Sequence, residues 1–344
     1  MKTKANIGKL RKYVEEFTNF TVTVLGDLVA DEFVYGEIAR VSREAPVLIL
    51  RHREQTVVPG GGGNAVMNLA ALGINVLPVG IVGDDEPGRL LVQQMKAKKI
   101  PTSGIVRVKG HTTTTKTRIL AGMTHSARQQ VVRVDREPEP IKDTHPALLE
   151  LISSAREYAK ASDAMLISDY GYGAATPRLL TFIRSDGSLG DMPITLDSRY
   201  RMLEYSGVTA ATPNEPEVEA ALNVSIGNDH EKLFAAGDEL MKRMNLHSLV
   251  VTRGSDGMVA FERKAKPVEI PIFGSNQVTD VTGAGDTVIA TFTAALAAGA
   301  DTESAARLAN FAGGLVVMKR GTATVSRPEL LAALDEAAEA GATK

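Results

Sequence analysis

The hydrophobic and polar positions along the chain alternate between two patterns, one typical of strands and one typical of helices. Short apolar runs that end in polar and turn-forming residues predict strands of a parallel sheet at residues 20–27, 164–171, 193–198, 207–215 and 248–255. Apolar residues at helical spacing predict helices at residues 64–73, 86–99, 145–161 and 230–244, and two more after residue 286. This alternation predicts a doubly wound α/β fold, with ligands bound at the carboxyl ends of the strands.

Two segments interrupt this alternation, residues 33–58 and 103–135. Both are rich in β-branched residues and show period-two stretches, which predicts strands. Because a βα unit separates them, we expect the two segments to pair across it as a smaller sheet, the lid, over the mouth of the crevice. No linker or repeat divides the chain, so residues 1–344 are expected to form one domain with this inserted lid.

Composition narrows the possible partners. The chain has 344 residues, a net charge of −2 and no cysteine. Nucleic acid and anionic membranes are therefore not expected partners, and disulfides, thiolate metal sites and a cysteine nucleophile are excluded. No apolar run approaches the roughly 20 residues of a membrane span. The start of the sequence carries charges throughout and lacks a signal-peptide core, so we expect it to form a short surface helix in a cytoplasmic protein.

Residues 280–286, DVTGAGD, lie between a strand-like approach and an apolar helical pattern. The small residues Gly283, Ala284 and Gly285 would let an anion approach the N–H groups and the positive dipole of a helix N-terminus. Asp286 would then lie in the first helical turn. Its carboxylate could favour the helix dipole, or it could take a proton from a hydroxyl that attacks a phosphoryl group.

A second glycine-rich stretch, residues 59–64 (PGGGGN), precedes another predicted helix. The glycines allow close backbone approach, and Asn64 could cap the helix or bind a polyhydroxylated ligand. The stretch lacks the lysine and hydroxyl of a GxxxxGK[ST] phosphate loop. The chain also lacks a strand followed by GxGxxG, the usual dinucleotide-binding pattern.

Four motifs in the same order resemble those of the ribokinase-like, or pfkB, carbohydrate kinases. They are the glycine run with Asn64, NEPE at 214–217, TRGSDG at 252–257 and DVTGAGD at 280–286. The resemblance extends from about residue 24 to residue 325. It implies a ribokinase-like fold and ATP-dependent phosphoryl transfer to a sugar hydroxyl.

The resemblance implies a role for each matching residue. Asp286 would be the base that deprotonates the acceptor, and the N–H groups of Gly283, Ala284 and Gly285 would form an anion hole for the transferring phosphoryl group. The nucleotide-side residues would be Asn214, Glu217, Thr252, Gly254, Gly257 and Asn310, with Glu217 holding Mg²⁺ through water. Asp280 and Thr282 match positions that hold a monovalent cation such as K⁺ in some relatives.

On the acceptor side, Asp27, Gly60, Gly61 and Asn64 match the sugar pocket of the family. Residues 36–50, 112–137 and 319–326 are similar to the D-glycero-β-D-manno-heptose 7-phosphate kinases, the kinase half of bacterial heptose-activating enzymes. Arginine and lysine suit a phosphorylated acceptor. The candidate cations are Arg40, Arg43, Lys116, Arg118 and Arg133, although charges on β-ribbons are more often solvated.

Two positions depart from the heptose kinases and leave the acceptor open. Tyr172 in DYGYG (169–173) replaces a lysine, and Arg199 in DSRY (197–200) stands where those kinases have another lysine. The alternatives are a kinase of a fructose phosphate, a pentose or a nucleoside, or a non-catalytic sugar- or nucleotide-binding protein on this scaffold.

Two expectations concern larger assemblies. An exposed β lid leaves sheet edges and apolar faces that a second copy could cover, so we expect a homodimer through the lid. The resemblance covers the kinase half of the bifunctional relatives, so we expect adenylylation of the product to need another protein.

Overall fold

A computed structural model describes residues 2–122, 129–142, 144–274 and 279–340. The strands are β1 (Thr21–Gly26), β2 (Leu28–Val41), β3 (Leu48–Gly61), β4 (Asn75–Gly83), β5 (Ile105–Val108), β6 (Thr115–Gly122), β7 (Gln129–Arg136), β8 (Ala164–Asp169), β9 (Ile194–Ser198), β10 (Ala210–Ala211), β11 (Ser248–Thr252), β12 (Met258–Glu262) and β13 (Val268–Ile270). The α-helices are α1 (Lys2–Glu16), α2 (Gly62–Ala71), α3 (Glu86–Ala97), α4 (Ala147–Ala159), α5 (Pro177–Arg184), α6 (Glu215–Leu222), α7 (His230–Arg243), α8 (Ala284–Ala297), α9 (Thr302–Val316) and α10 (Arg327–Ala340).

A nine-stranded central sheet has the order β13-β12-β11-β10-β9-β8-β1-β4-β5. Its strands pair in parallel from β11 through β5, and β12 and β13 add an antiparallel edge. This arrangement confirms the predicted doubly wound, mostly parallel sheet. The carboxyl ends of its parallel strands meet at one edge, where the candidate site lies.

Helices cover both faces of the central sheet, because successive side chains of a strand point to opposite faces. In β8, Ala164 and Leu166 belong to the core under α1, α2, α3, α8, α9 and α10. Met165 and Ile167 belong to the core under α4, α5, α6 and α7. Burial of apolar side chains therefore holds the helices against the sheet, at about 1.5 to 3 kcal/mol for each large aliphatic side chain.

The lid is a four-stranded sheet with the order β3-β2-β6-β7, and its two predicted segments do pair across the intervening βα unit. Its boundaries differ from the prediction in two ways. The lid begins at Leu28, and β5 joins the central sheet beside β4, with Val106 and Val108 buried there. Residues 123–128 of the second predicted segment lie outside the described residues.

Several helices begin where a side chain accepts a backbone N–H, as in α3 at Asp85 and α7 at Asp229. The helices α5, α6 and α10 and the strands β12 and β13 are additional to the predicted elements. Within the described residues, every helix is too short or too polar to cross a membrane.

Candidate active site

Helix α8 begins at Gly283 without a side-chain cap in the described part of the chain. Gly283 has φ = 76°, a left-handed conformation that suits glycine, and a Cβ built there would lie 2.4 Å from Asn64 Nδ2. The Ala284 N–H donates to Val281 O at 3.2 Å, so one of the three predicted anion-hole amides already has a partner. Gly285 is exposed in the first turn, where helix N–H groups lack intrahelical acceptors.

Asp286 lies in the same turn, and its carboxylate is only 4% exposed. Its Oδ2 accepts a hydrogen bond from Asn64 Nδ2 at 2.8 Å, and its Oδ1 accepts one from Tyr170 Oη at 2.9 Å. Burial raises the pKa of Asp286 to about 7, while the donors Asn64 and Tyr170 lower it and Asp31 raises it further. A carboxylate with this pKa can gain and lose a proton near neutral pH, which is what a general base requires.

The orientation of Asn64 is set by a chain of hydrogen bonds. Thr287 Oγ1 donates to Asn68 Oδ1 at 3.0 Å, and Asn68 Nδ2 donates to Asn64 Oδ1 at 3.1 Å. The Asn64 amide nitrogen is therefore turned toward Asp286. The resemblance assigned Asn64 to the sugar pocket; in the structure its buried amide is hydrogen-bonded to Asp286, and its contact with an acceptor stays a prediction.

A cavity of about 400 Å³ opens in front of Asp286, between the central sheet and the lid. Among the described residues it is lined by Val29, Asp31, Gly61, Lys116, Arg118, Arg133, Asp135, Glu137, Tyr170, Tyr172, Arg199, Tyr200, Thr282, Gly283 and Asp286. The wall carries four cations and four carboxylates, a composition suited to a ligand with hydroxyl and anionic groups.

Three predicted cations of the lid line this cavity and are paired with carboxylates. Arg118 pairs with Asp31, and Lys116 Nζ lies 3.2 Å from Asp135 and 2.9 Å from Glu137. The third cation, Arg133, pairs with Asp135 at 3.0 Å.

Arg40 and Arg43 are candidates that the structure places elsewhere. Both are exposed, Arg40 near the end of β2 and Arg43 in the connection to β3, and neither belongs to the lining set. They lie on the long β2–β3 hairpin, and their contact with a substrate phosphate stays a prediction.

Asp27 lies at the end of β1, as predicted, and its contact with an acceptor stays a prediction. It is buried, and its carboxylate accepts hydrogen bonds from the N–H groups of Tyr170 at 2.9 Å, Tyr172 at 3.0 Å and Ala174 at 2.8 Å. Burial raises its pKa to about 6. Asp27 thus holds the loop that carries Tyr170 and Tyr172, and it lies outside the lining set given above.

Asp31, four residues later, occupies the cavity wall instead. Its Oδ1 pairs with Arg118, and its Oδ2 accepts a hydrogen bond from Thr322 at 3.1 Å. The backbone at Gly60 approaches Asp31 so closely that a Cβ there would lie 2.3 Å from Asp31 Oδ2. Gly60 therefore makes room for Asp31, and Gly61 lines the cavity itself.

A second cavity of about 190 Å³ lies on the other side of Tyr170 and Arg199. It is lined by Asp169, Tyr170, Asp197, Arg199, Thr212, Asn214, Glu217, Thr252 and Gly285. Tyr170 and Arg199 belong to the walls of both cavities. The start of α8 lies at their junction, since Asp286 lines the first cavity and Gly285 lines the second.

The predicted NxxE pair has a local structural function as well as a place in this second cavity. The Asn214 side chain accepts from Glu217 N at 2.9 Å, and Glu217 Oε2 accepts from Asn214 N at 2.9 Å. This reciprocal capping box begins α6. Burial raises the pKa of Glu217, and burial together with Asp286 and Glu217 raises that of Asp197.

The remaining nucleotide-side candidates lie at and after the end of β11 and in the middle of α9. Thr252 lines the second cavity, and Gly254 and Gly257 follow it with positive φ values of 55° and 80°. Asn310 is buried, and its Nδ2 donates to Pro271 O at 2.8 Å, so its amide ties α9 to the strand-end loop.

Asp280 and Thr282, the predicted cation pair, are hydrogen-bonded to each other. The Asp280 carboxylate accepts from Thr282 N and from Gly321 N, each at 2.9 Å. Burial raises the pKa of Asp280, but these hydrogen bonds outweigh burial and hold it below its ordinary value. Asp280 thereby joins two loops, and Thr282 lines the first cavity.

Comparison with known proteins identifies the family. Residues 23–330 match the pfkB family carbohydrate kinase domain. The chain belongs to the pfkB family. It is a carbohydrate kinase, with ATP as the phosphoryl donor that this family uses.

Curated relatives of this pfkB chain carry the name bifunctional protein HldE. The protein from Geobacter metallireducens is 38% identical over 330 residues, which is 94% of this chain and 66% of that protein. The one from Gluconobacter oxydans is 38% identical over 320 residues, 92% of this chain and 65% of that protein. The chain thus spans about two thirds of the length of the curated relatives it matches.

Solved structures share the pfkB chain's fold. Arabidopsis thaliana ribokinase, complexed with ribose and ATP, matches with a TM-score of 0.69 at 20% identity, over 92% of this chain and 98% of that one. Escherichia coli phosphofructokinase-2, in complex with potassium, matches with a TM-score of 0.73 at 17% identity, over 92% and 99%. These matches confirm the ribokinase-like fold.

Proposed function

We propose that this pfkB kinase transfers the γ-phosphoryl group of ATP to a sugar phosphate, and that the acceptor atom is the anomeric hydroxyl of D-glycero-D-manno-heptose 7-phosphate. The observation that carries the proposal is the junction of two polar cavities at the start of α8. Asp286 faces the larger cavity, and Gly285 faces the smaller one.

The chemistry follows from this junction. The acceptor hydroxyl in the larger cavity gives its proton to Asp286, and its oxygen attacks the γ-phosphorus. The bond from that phosphorus to the β,γ-bridging oxygen breaks, and ADP leaves with the electron pair. The exposed first turn of α8 and the Arg199 guanidinium stabilise the charge on the transferring group, since both border the smaller cavity.

The composition of the larger cavity supports an acceptor that already carries a phosphate. A phosphate would exchange ion pairs with Lys116, Arg118 or Arg133, while carboxylates such as Asp31 accept hydrogen bonds from sugar hydroxyls. The resemblance of the lid segments to heptose 7-phosphate kinases selects the heptose among sugar phosphates. Tyr172 and Arg199 stand where the heptose kinases have lysines, so the identity of the acceptor is the first part of the proposal to test.

We propose Mg²⁺ as the metal that accompanies ATP. Oxygen ligands suit Mg²⁺, which keeps several waters, and the smaller cavity offers the carboxylates of Asp197 and Glu217. When bound, the ion would neutralise phosphate charge. A K⁺ requirement also stays a prediction. Both Asp280 oxygens accept backbone N–H groups in the structure. Replacing K⁺ by Na⁺ in the assay tests whether the kinase needs K⁺.

We also propose a homodimer formed through the lid. Arg133 and Asp135 of β7 face the cavity, so by strand alternation Val132 and Val134 face the opposite way. These two valines are 49% and 48% exposed. An apolar face at a sheet edge is the kind of surface that a second copy covers.

Coupled ADP release with Mg-ATP tests the acceptor. The panel contains D-glycero-D-manno-heptose 7-phosphate, the same heptose without phosphate, fructose phosphates, ribose and a nucleoside. Selective turnover of the heptose phosphate is expected. Turnover confined to another acceptor would overturn the heptose assignment and keep the kinase. ATP binding without turnover of any acceptor would instead indicate a binding protein.

A further inference from the structure

Tyr170 is held at the junction of the two cavities by both its backbone and its side chain. Its N–H donates to Asp27 at 2.9 Å, and its hydroxyl donates to Asp286 Oδ1 at 2.9 Å. Asp169, which precedes it, is buried and binds Ser198, Arg201 and Tyr205. The loop is therefore anchored by the side chain of Asp169 and by the hydrogen bonds of Tyr170 to Asp27 and Asp286.

The two oxygens of Asp286 have different surroundings. Oδ2 is bound by Asn64, which is buried behind the cavity wall, whereas Oδ1 is bound by Tyr170, which belongs to the walls of both cavities. The Tyr170 hydroxyl thus contacts the carboxylate oxygen on the side of the reacting groups. A carboxylate oxygen can accept more than one hydrogen bond, so an acceptor hydroxyl and Tyr170 can share Oδ1.

We propose that Tyr170 is a positioning residue for the phosphoryl transfer described above, one that orients the Asp286 carboxylate toward the acceptor and stabilises its ionised form. The proposal rests on the proposed function, because it assigns Tyr170 a role through the base of that reaction. The DYGYG stretch at residues 169–173 contains this tyrosine, but the resemblance assigned it no role.

The direction of the hydrogen bond supports this role. Burial raises the pKa of Tyr170 well above its ordinary value, and Asp286 raises it further, so the phenol keeps its proton and acts as the donor. A donor to a carboxylate favours the charged form. Burial alone disfavours that form in Asp286, and Asn64 supplies the other donor that opposes it.

Several other charged groups face Asp286 from the elements around it. They are Asp31 of β2, Lys116 and Arg118 of β6, Arg133 and Asp135 of β7, Glu137 after β7, Asp197 of β9 and Arg199 after β9. Tyr170→Phe keeps every one of these charges and the backbone bond to Asp27. A change in the titration of Asp286 in that variant is therefore attributable to the lost hydroxyl.

The first test compares Tyr170→Phe with Tyr172→Phe in heptose phosphate turnover from about pH 5 to about pH 9. Tyr172 is a matched control, because it lies on the same loop and in the same cavity but donates to Glu137 at 2.6 Å. In Tyr170→Phe we expect kcat near pH 7 to fall about tenfold and the acid limb to move up by about one pH unit. The KM for ATP should change less than about twofold, and in Tyr172→Phe the acid limb should stay in place.

The second test does not need turnover. Carboxyl ¹³C resonances of aspartate-labelled protein are titrated, with the Asp286 signal identified by its absence from Asp286→Asn. Its midpoint should rise by about one pH unit in Tyr170→Phe. Unchanged midpoints and unchanged acid limbs would overturn the role of Tyr170. Absence of turnover in the wild-type protein would refute the proposed function, while the carboxyl titration would still decide the role of Tyr170.

Discussion

Asp286 is buried, yet the proposed mechanism needs its carboxylate to be ionised, and the two properties oppose each other. Burial favours the neutral acid, whereas proton abstraction needs the ionised base. The donors Asn64 and Tyr170 reduce the conflict and leave the pKa at about 7. Asp286 therefore gains or loses its proton near neutral pH, and the burial of its ionised form costs folding stability.

This cost predicts a pH-dependent stability difference. The folded pKa of about 7 is above the ordinary value of 3.8, so the unfolded chain loses this proton at a lower pH than the folded protein does. The free energy of unfolding therefore falls as the pH rises between the two values. Asp286→Asn removes the effect. The variant's advantage in free energy of unfolding should grow by about 2.5 kcal/mol from about pH 5 to about pH 8, measured by urea unfolding. Parallel pH profiles for the two proteins would contradict the raised pKa.

Arg199 predicts a kinetic effect. Within the described residues it forms no ion pair with a carboxylate, and it borders both cavities. Arg199→Ala should lower kcat by about tenfold to a hundredfold, because charge on the transferring group loses a partner, and Arg199→Lys should recover part of it. Steady-state kinetics measures this. Arg89→Ala, an exposed arginine of α3, is the control, and an equal effect there would contradict the role.

The turn at residues 280–286 was predictable from its motif, whereas the positions of some neighbouring residues relative to the larger cavity were not, for physical reasons. Asp27 and Asp31 lie four positions apart; Asp27 precedes β2, whereas Asp31 lies within it and lines the larger cavity. Tyr170 was missed because its importance comes from a contact 116 residues away in sequence. Local patterns cannot show such contacts.

At the scale of elements, the start of α8 differs from the starts of its neighbours. α3, α7 and α9 are capped by Asp85, Asp229 and Asp301. α8 begins instead at Gly283, and its first turn faces the smaller cavity through Gly285. Substitutions at Gly283 and Gly285 should therefore have different effects: the first should lower stability, and the second should slow turnover.

Gly283→Ala should lower the free energy of unfolding by about 1 to 3 kcal/mol, because alanine is strained at this φ and its Cβ would collide with Asn64. Gly285→Ala has no neighbour within 4 Å and should keep or slightly raise stability. Its methyl group would nevertheless lie at the smaller cavity and slow turnover. Urea unfolding and turnover of both variants check this, and equal destabilisation would contradict the geometry.

The elements themselves were predictable where periodicity was strong, as in α7. The assignment of β5 to the lid failed because β-branched strands of either sheet look alike, and only pairing with β4 distinguishes them. The NxxE motif was assigned to metal binding, although the same spacing is also the signature of the capping box that begins α6.

At the scale of the whole molecule, the larger cavity is formed jointly by two sheets. The lid supplies Lys116, Arg118 and Arg133, and the central sheet with α8 supplies Tyr170 and Asp286. The residues proposed for acceptor recognition thus lie on the lid, and the proposed base lies on α8 beside the central sheet, so we expect the position of the lid to determine whether the two act together.

The outer face of the lid predicts the oligomeric state. Light scattering should find a dimer, and Val132→Lys should weaken it by placing a charge on the apolar face. Val224→Lys is the control, since Val224 is 47% exposed but lies between α6 and α7. A monomeric wild-type protein, or equal effects of the two substitutions, would contradict association through the lid.

The most direct measurement of the central claim is ³¹P NMR of the product made from Mg-ATP and D-glycero-D-manno-heptose 7-phosphate. The account predicts ADP and a sugar bisphosphate whose new phosphorus couples to the anomeric proton, with turnover lowered by about a hundredfold or more in Asp286→Asn. ADP with inorganic phosphate alone, or full turnover by Asp286→Asn, would contradict it.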